Sequence, residues 1–426
     1  MNTISRRTLG GLGLAAAAAT TAACGRSEPS SDEKASADPI GKGKATGKLT
    51  VWAMGAEGEK LPQLVKGFEK ENPDVEVTVT PIPWDSAHDK FTSAIAAGTA
   101  PDVAQVGSTW MAEFVDLKAL EPTPDEVDTS VFFSGAEKAA QVGGTTYGVP
   151  WYVETRVVFY RTDLAKKAGF TEPPTDWEGL LALAKAMQKK AGAKWGLALQ
   201  PGGTGSWQSV LPFIWSNGGK VANDDDTKFT FEGTPNTEAV AYYQSYFTDK
   251  VADKSPAEGT TEQDFVSGAA PMFISGPWMM SAVEAAGGKG FADKYGVFVL
   301  PTKETSTSFL GGANLGVFQG SKNRDSAWKL VQYLSTPTAQ VEWFGISTDL
   351  PAVESAWDDD KVAKNAKFEV FHQQLDSAQA PPAIATWEQV ASRFDSQLEK
   401  VCKEGLDPAK ALATTQSEAE GIGTGA

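Results

Sequence analysis

The chain has 426 residues, 41% of them hydrophobic and 22% charged, with a formal net charge of −16. That length exceeds what a single core usually holds, so two lobes or domains are expected in a globular rather than disordered chain. The acidic balance excludes a nucleic-acid partner, which would need clustered Lys and Arg to neutralise phosphates.

Residues 1–24 read as an export signal, not as fold. Arg6 and Arg7 supply a positive start, and Leu9 to Ala19 is an apolar run too short to span a bilayer. Ser5-Arg6-Arg7-Thr8-Leu9 resembles a twin-arginine signal. Thr21-Ala22-Ala23-Cys24 resembles a lipobox that would make Cys24 a lipid attachment site, although Thr21 stands where Leu is commonest. Residues 25–47 are rich in Ser, Ala, Lys, Asp and Gly and read as a flexible tether. The expected result is a globular body anchored outside the cytoplasmic membrane.

Leu49 to Ala53 is the first predicted strand, followed by a loop over Met54–Gly58. A helix carries Leu61, Leu64, Val65 and Phe68 at helical spacing and stops at Asn72-Pro73. Val75, Val77 and Val79 alternate as a second strand. A helix with Phe91 and Ile95 ends at Gly98, and Val103–Val106 is a third strand. Ser108 and Thr109 are placed to cap the helix carrying Trp110. This alternation implies a mainly parallel sheet with ligands at the carboxyl ends of its strands, where Met54–Gly58 and Gly107–Trp110 lie.

The second region contains helices around Trp177–Met187, Trp207–Trp215 and Thr237–Thr248. Strands are expected at Trp195–Leu199, Ala270–Ile274 and Tyr295–Leu300, with a glycine-broken pair over Ser308–Gln319. Helices follow at Ala327–Leu334 and Thr338–Phe344, and the tail from Trp387 is helical. Chain crossings between the lobes are expected near Tyr147–Arg161, Phe309–Gly316 and Thr348–Ala352. They divide the chain into one lobe of 48–153 and 312–348 and another of 154–311 and 349–426.

Cys24 and Cys402 stand in unrelated contexts, and His88 and His372 have no Cys/His/Asp cluster around them, so no metal or other cofactor is expected. Trp151, Tyr152, Glu154 and Arg156 are a different matter. Two rings and two charges open an otherwise apolar strand, where an unpaired buried charge is costly. A cleft wall meeting a polar ligand explains them. Trp52, Trp177, Trp195, Trp215 and Trp328 read as core, Trp207 stands between core and site, and Asp85 reads first as a helix cap.

Ala100-Pro101-Asp102-Val103, Tyr147-Gly148-Val149-Pro150, Ser275-Gly276-Pro277-Trp278, Gly311-Gly312-Ala313-Asn314, Ala327-Trp328-Lys329-Leu330 and Asp349-Leu350-Pro351-Ala352 occur in that order behind the lipobox. In this the sequence from about Lys48 onward resembles the extracellular solute-binding proteins of ABC importers, in the oligosaccharide-binding group that includes maltose-binding protein. The resemblance implies an α/β, two-lobed periplasmic-binding-protein-like fold, each lobe a mainly parallel sheet flanked by helices, with a three-segment hinge. It implies ligand contacts from Trp151, Tyr152 and Glu154, from Trp278, and from Ser108 and Trp110. It adds Gly312, Ala313 and Asn314 near the second crossing, Trp387 at the head of the tail helix, and Glu57 in the first loop. Arg156 either holds Glu154 or touches ligand. Implied partners are a di- or oligosaccharide, permease subunits and a cytoplasmic ATPase, with a lipid anchor on Cys24 and a monomeric receptor.

Rings cover the apolar faces of a sugar, while carboxylates, amides and guanidiniums take its hydroxyls. Two rivals remain open from the residues. One is a receptor for a non-sugar solute such as a polyol or glycerol phosphate, of which glycerol phosphate would want a more basic site. The other is a secreted glycoside hydrolase, which needs two carboxyl groups about 5–10 Å apart; Glu154 has no evident second.

Overall fold

The computed structural model describes residues 37–425. The export signal, Cys24 and the first part of the tether therefore lie outside the described residues. The strands are β1 (Gly47–Met54), β2 (Val75–Ile82), β3 (Val103–Gly107), a short hairpin of β4 (Gln141–Val142) and β5 (Thr145–Thr146), β6 (Val149–Thr155), β7 (Val157–Arg161), β8 (Met272–Ser275), β9 (Tyr295–Phe298), β10 (Ser308–Val317), β11 (Leu350–Pro351) and β12 (Ala378–Gln379). The first sheet has the order β11-β6-β10-β3-β1-β2, with β12 beside β10, and the second has the order β8-β7-β9.

The mainly parallel reading holds for β1, β2 and β3 but is corrected for the second lobe, where β7 lies antiparallel to both β8 and β9. The reason is the crossing itself. Strands that stay in a lobe end at the cleft, whereas a strand arriving from the other lobe begins there and must run the opposite way. β7 does this in the second sheet and β10 does it in the first, antiparallel to both β3 and β6. The glycines of β10 do not break it: one strand runs through Gly311 and Gly312, with a register shift at Ala313/Asn314.

Apolar side chains cover both faces of the first sheet. One face carries Leu61, Phe68, Trp151, Trp328 and Trp343, and this core continues through the hinge to Phe159 and Phe273. The other face carries Phe91, Trp110, Phe114 and Phe318. The second lobe has its own core around Trp177, Phe213, Tyr243, Phe394 and Leu398. Each large side chain so buried contributes about 1.5–3 kcal/mol relative to exposure.

Several expectations change. The end of the range expected to be a tether, 25–47, belongs to the folded body instead, because Ala45 is buried and Thr46 exchanges backbone hydrogen bonds with the Ser326 hydroxyl. No loop separates the first strand from its helix: Met54 is followed directly by the helix Gly55–Glu71, which puts Glu57 in a first helical turn. Trp195–Leu199 forms no strand and contributes one bridge, Ala198 to Phe273. The third crossing comes later than Thr348, because β11 pairs with β6 and Glu354 bonds Val131, keeping 349–358 with the first lobe. The helix Ala366–Leu375 then belongs to the second lobe's side, where Gln374 bonds Leu300 and Ser306.

Candidate functional site

A cleft of about 1020 Å³ lies between the two sheets. Its first wall comes from the carboxyl ends of β1 and β3 and the head of the helix Trp84–Ala97, which bring Glu57, Trp84, Asp85, His88, Ser108, Thr109 and Trp110. Its floor is the hinge, with Tyr152, Glu154 and Arg156 from the first crossing and Phe309, Gly311 and Gly312 from the second. The second wall is the turn Gly203–Gln208, Trp278 and one face of the helix Trp387–Glu399.

Strand alternation decides which residues of the Tyr147–Arg161 stretch reach this space. Side chains of a strand point alternately to opposite faces, so Tyr152 and Glu154 face the cleft. Trp151 faces the core and is corrected: it is fully buried and stacked on Trp343 with ring centroids 4.7 Å apart. Tyr152 is itself largely committed. Its hydroxyl accepts from Gln105 Nε2 at 2.9 Å and donates to Glu57 Oε1 at 3.3 Å. Arg156 lies 3.6 Å from Glu154, donates to Gln208 Oε1 and covers the Phe309 ring at 5.3 Å. Arg156 thus ties the hinge carboxylate to the second wall.

Three further expectations are corrected. Trp387 is fully buried, meeting Trp207 edge-on at 5.2 Å, and the next residue round the helix, Glu388, is the one that reaches the cleft. Ala313 and Asn314 do not line it. β10 is flanked by β3 and β6, so the backbone there is taken up by the ladder, and Asn314 packs under Gly148. Gly312 does line the cleft, at a φ of 136° that favours glycine and with Tyr152 O too close to admit a side chain. Ser108 and Thr109 cap nothing: Thr109 Oγ1 donates instead to Glu388 Oε1 at 2.5 Å, joining the two walls directly.

Burial weakens the cleft carboxyls as acids, raising their pKa values. Glu57 is pushed up to about 7 by loss of water and, secondarily, by the nearby Glu154 charge. Glu154 and Glu388 are also raised by burial, opposed by Arg156 and by the Thr109 bond respectively. Asp395 rises to about 6 for the same reason, although it accepts from Gly205 N, Ser206 Oγ and Trp207 N and so pins the second-wall turn. Burial opposes the charge on His88, but its 2.7 Å pair with Glu113 outweighs this and holds it above its ordinary value. Behind the hinge, Asp349 is fully buried with neither carboxylate oxygen bonded, and burial pushes it far up. No group of His, Cys, Asp and Glu suited to a metal occurs among the described residues.

Sequence reasoning missed Glu388, His88, Thr109, Gln208 and Asp395. Glu388 had a signal, since Trp387 marks the helix that carries it. Thr109 had one too, since it lies in the Gly107–Trp110 loop after the third strand, whereas His88, Gln208 and Asp395 had none, because each reaches the cleft through tertiary placement. Trp84, 41% exposed, and Trp110 meet with ring centroids 5.9 Å apart on the first wall, and Trp207 lines the second. The arrangement offers flat rings on two opposed walls and carboxylates between them. It suits a polar ligand with apolar faces.

The family of bacterial extracellular solute-binding proteins matches residues 53–341. A sugar-binding protein, MalE, from Xanthomonas citri is 30% identical, covering 88% of this chain and 97% of that one with a TM-score of 0.77. The GacH receptor of Streptomyces glaucescens, solved unliganded and with acarbose, is 29% identical over 89% of this chain and 99% of that one, with a TM-score of 0.83. The galactooligosaccharide-binding protein of Bacillus subtilis is 27% identical over 96% of this chain and 95% of its own length.

Proposed function

We propose, for a chain that belongs to the bacterial extracellular solute-binding protein family, that the cleft binds a di- or oligosaccharide and hands it to an ABC importer. The observation that carries this reading is the joint presence of Trp84, Trp110, Trp207 and Trp278 with Glu57, Glu154 and Glu388 on the walls of one cleft. Rings bury the C–H faces of a pyranose, and carboxylates accept from its hydroxyls. A few charge-assisted bonds of about 1.5–3 kcal/mol each, with ring burial, suffice for micromolar affinity, about 8 kcal/mol. Relatives bearing the names galactooligosaccharide-, maltotriose- and diacetylchitobiose-binding protein support the sugar class.

The lining also argues against a phosphate-bearing ligand. Glu57, Asp85, Asp89, Glu154, Glu388, Asp395 and Glu399 face only Arg156, Arg393 and His88. The ligand binds without turnover and favours the closed arrangement, in which alone it touches both walls. Ligand-contact roles fall to Trp278, Glu154, Trp110, Ser108, Gly312, Tyr152 and Glu57, with Arg156 orienting Glu154. Export by the twin-arginine route, lipidation at Cys24 and a monomeric, surface-tethered receptor complete the proposal. Calorimetry against glucosides, galactosides, xylosides and chitooligosaccharides, with product analysis, tests it. Micromolar binding of at least one sugar, recovered intact, is expected; silence across the panel or released monosaccharide would overturn it.

A further inference from the structure

We propose that Gly276 and Gly311 are positioning residues of the cleft, seats on whose bare α-carbons the rings of Trp278 and Phe309 rest. A Cβ built on Gly276 would fall 1.9, 2.4 and 2.6 Å from three atoms of the six-membered ring of Trp278. One built on Gly311 would fall 2.2 Å from Phe309 Cε1 and 2.9 Å from Glu154 Cγ. Real side chains do not approach so closely, so a methyl group at either place must displace the ring. Neither glycine has a positive φ. Their backbone conformations are open to other residues, and what requires glycine is room.

Related but looser contacts recur around the cleft. A Cβ on Gly55 would lie 2.7 Å from the Trp84 ring, and one on Gly107 would lie 3.3 Å from that of Trp110. Gly55, Gly107 and Gly276 each stand at or just past the carboxyl end of a strand, β1, β3 and β8, where the chain turns into the cleft. Gly287 seats Phe291 in the same way within the core, so the contact is a general packing device. At the cleft it acquires a use. A ring lying on the backbone cannot swing inward, and its orientation is fixed before ligand arrives, which removes an ordering cost from binding.

This inference rests on the reading of the cleft as an oligosaccharide site, and a double-mutant cycle of Gly276→Ala, Trp278→Ala and the pair tests it. The probe is the panel oligosaccharide that binds the parent protein most tightly. Gly276→Ala alone is expected to weaken it by about tenfold, the scale of a lost aromatic anchor. In the Trp278→Ala background the same change is expected to alter Kd by less than about twofold, and the double variant to melt with Trp278→Ala. Equal weakening in both backgrounds, parent-like binding by Gly276→Ala, or a double variant less stable than Trp278→Ala would overturn the proposal. If Gly276→Ala alone fails to fold, recovery of folding in the double variant supports the seat and its absence refutes it. If no panel sugar binds, the sugar reading fails by itself. The seat is then decided by near-ultraviolet circular dichroism and melting of the four ligand-free proteins, in which Gly276→Ala must change the Trp278 environment only when Trp278 is present.

Discussion

Thr109→Val removes one hydroxyl and, with it, the direct bond between the walls. Thr109 Oγ1 donates to Glu388 Oε1 at 2.5 Å, from the turn after β3 to the first turn of the helix Trp387–Glu399. Leaving a buried acceptor without its donor costs about 1–3 kcal/mol. With the walls together, valine would leave Glu388 short of a donor; with the walls apart, water would supply one. The loss therefore falls on the closed arrangement alone. Taking about 2 kcal/mol, the closed-to-open ratio should drop about 30-fold, since each 1.4 kcal/mol is a factor of ten. A ligand that needs the closed arrangement should lose affinity by up to the same factor. Distances between labels on the two lobes, or the radius of gyration in solution, would report the shift without ligand. Melting temperature should barely move. An unchanged distance distribution together with unchanged affinity would show that this bond does not hold the walls together.

Trp278→Ala should weaken sugar binding by at least about 1.5 kcal/mol with little change in melting, measured by calorimetry and a thermal scan. Trp151→Ala should do the opposite, costing about 3–5 kcal/mol of stability as a buried Trp truncation does, with affinity of the folded protein kept; denaturant titration checks it. Glu57 holds its proton more tightly folded than unfolded, so its contribution is greatest below the ordinary carboxylate range and is lost as pH rises through about 7. Glu57→Gln should accordingly abolish a loss of up to about 3 kcal/mol between pH 5 and pH 8, read as melting temperature against pH. A parent protein whose stability does not fall over that window would contradict the burial argument.

Much of the first lobe was legible because its signals are local. Leu61, Leu64, Val65 and Phe68 bury one face of the helix Gly55–Glu71. Gly98 ends the next helix in the left-handed conformation, with its N–H on Ile95 O. Direction within the second sheet was not legible, since it follows from where β7 crosses and not from its composition. Nor was the length of the return segment, which rests on the two-residue pairing of β11 with β6. At the site, Tyr152 and Trp151 could not both face the cleft, and the period of a strand already decided between them once Glu154 was taken as a wall residue. Trp387 failed in a related way: the helix was right, and the cleft-facing residue was its neighbour. Contacts such as Thr109 to Glu388 join residues 279 apart in sequence and leave no local trace.

The most direct test is a crystal structure of the protein with its tightest-binding panel oligosaccharide. A sugar ring stacked on Trp278 and a hydroxyl bonded to the Glu154 carboxylate are expected, with Trp151 and Trp387 out of contact. A sugar bound elsewhere, or one seated in the cleft without touching Trp278 or Glu154, would contradict this reading of the cleft.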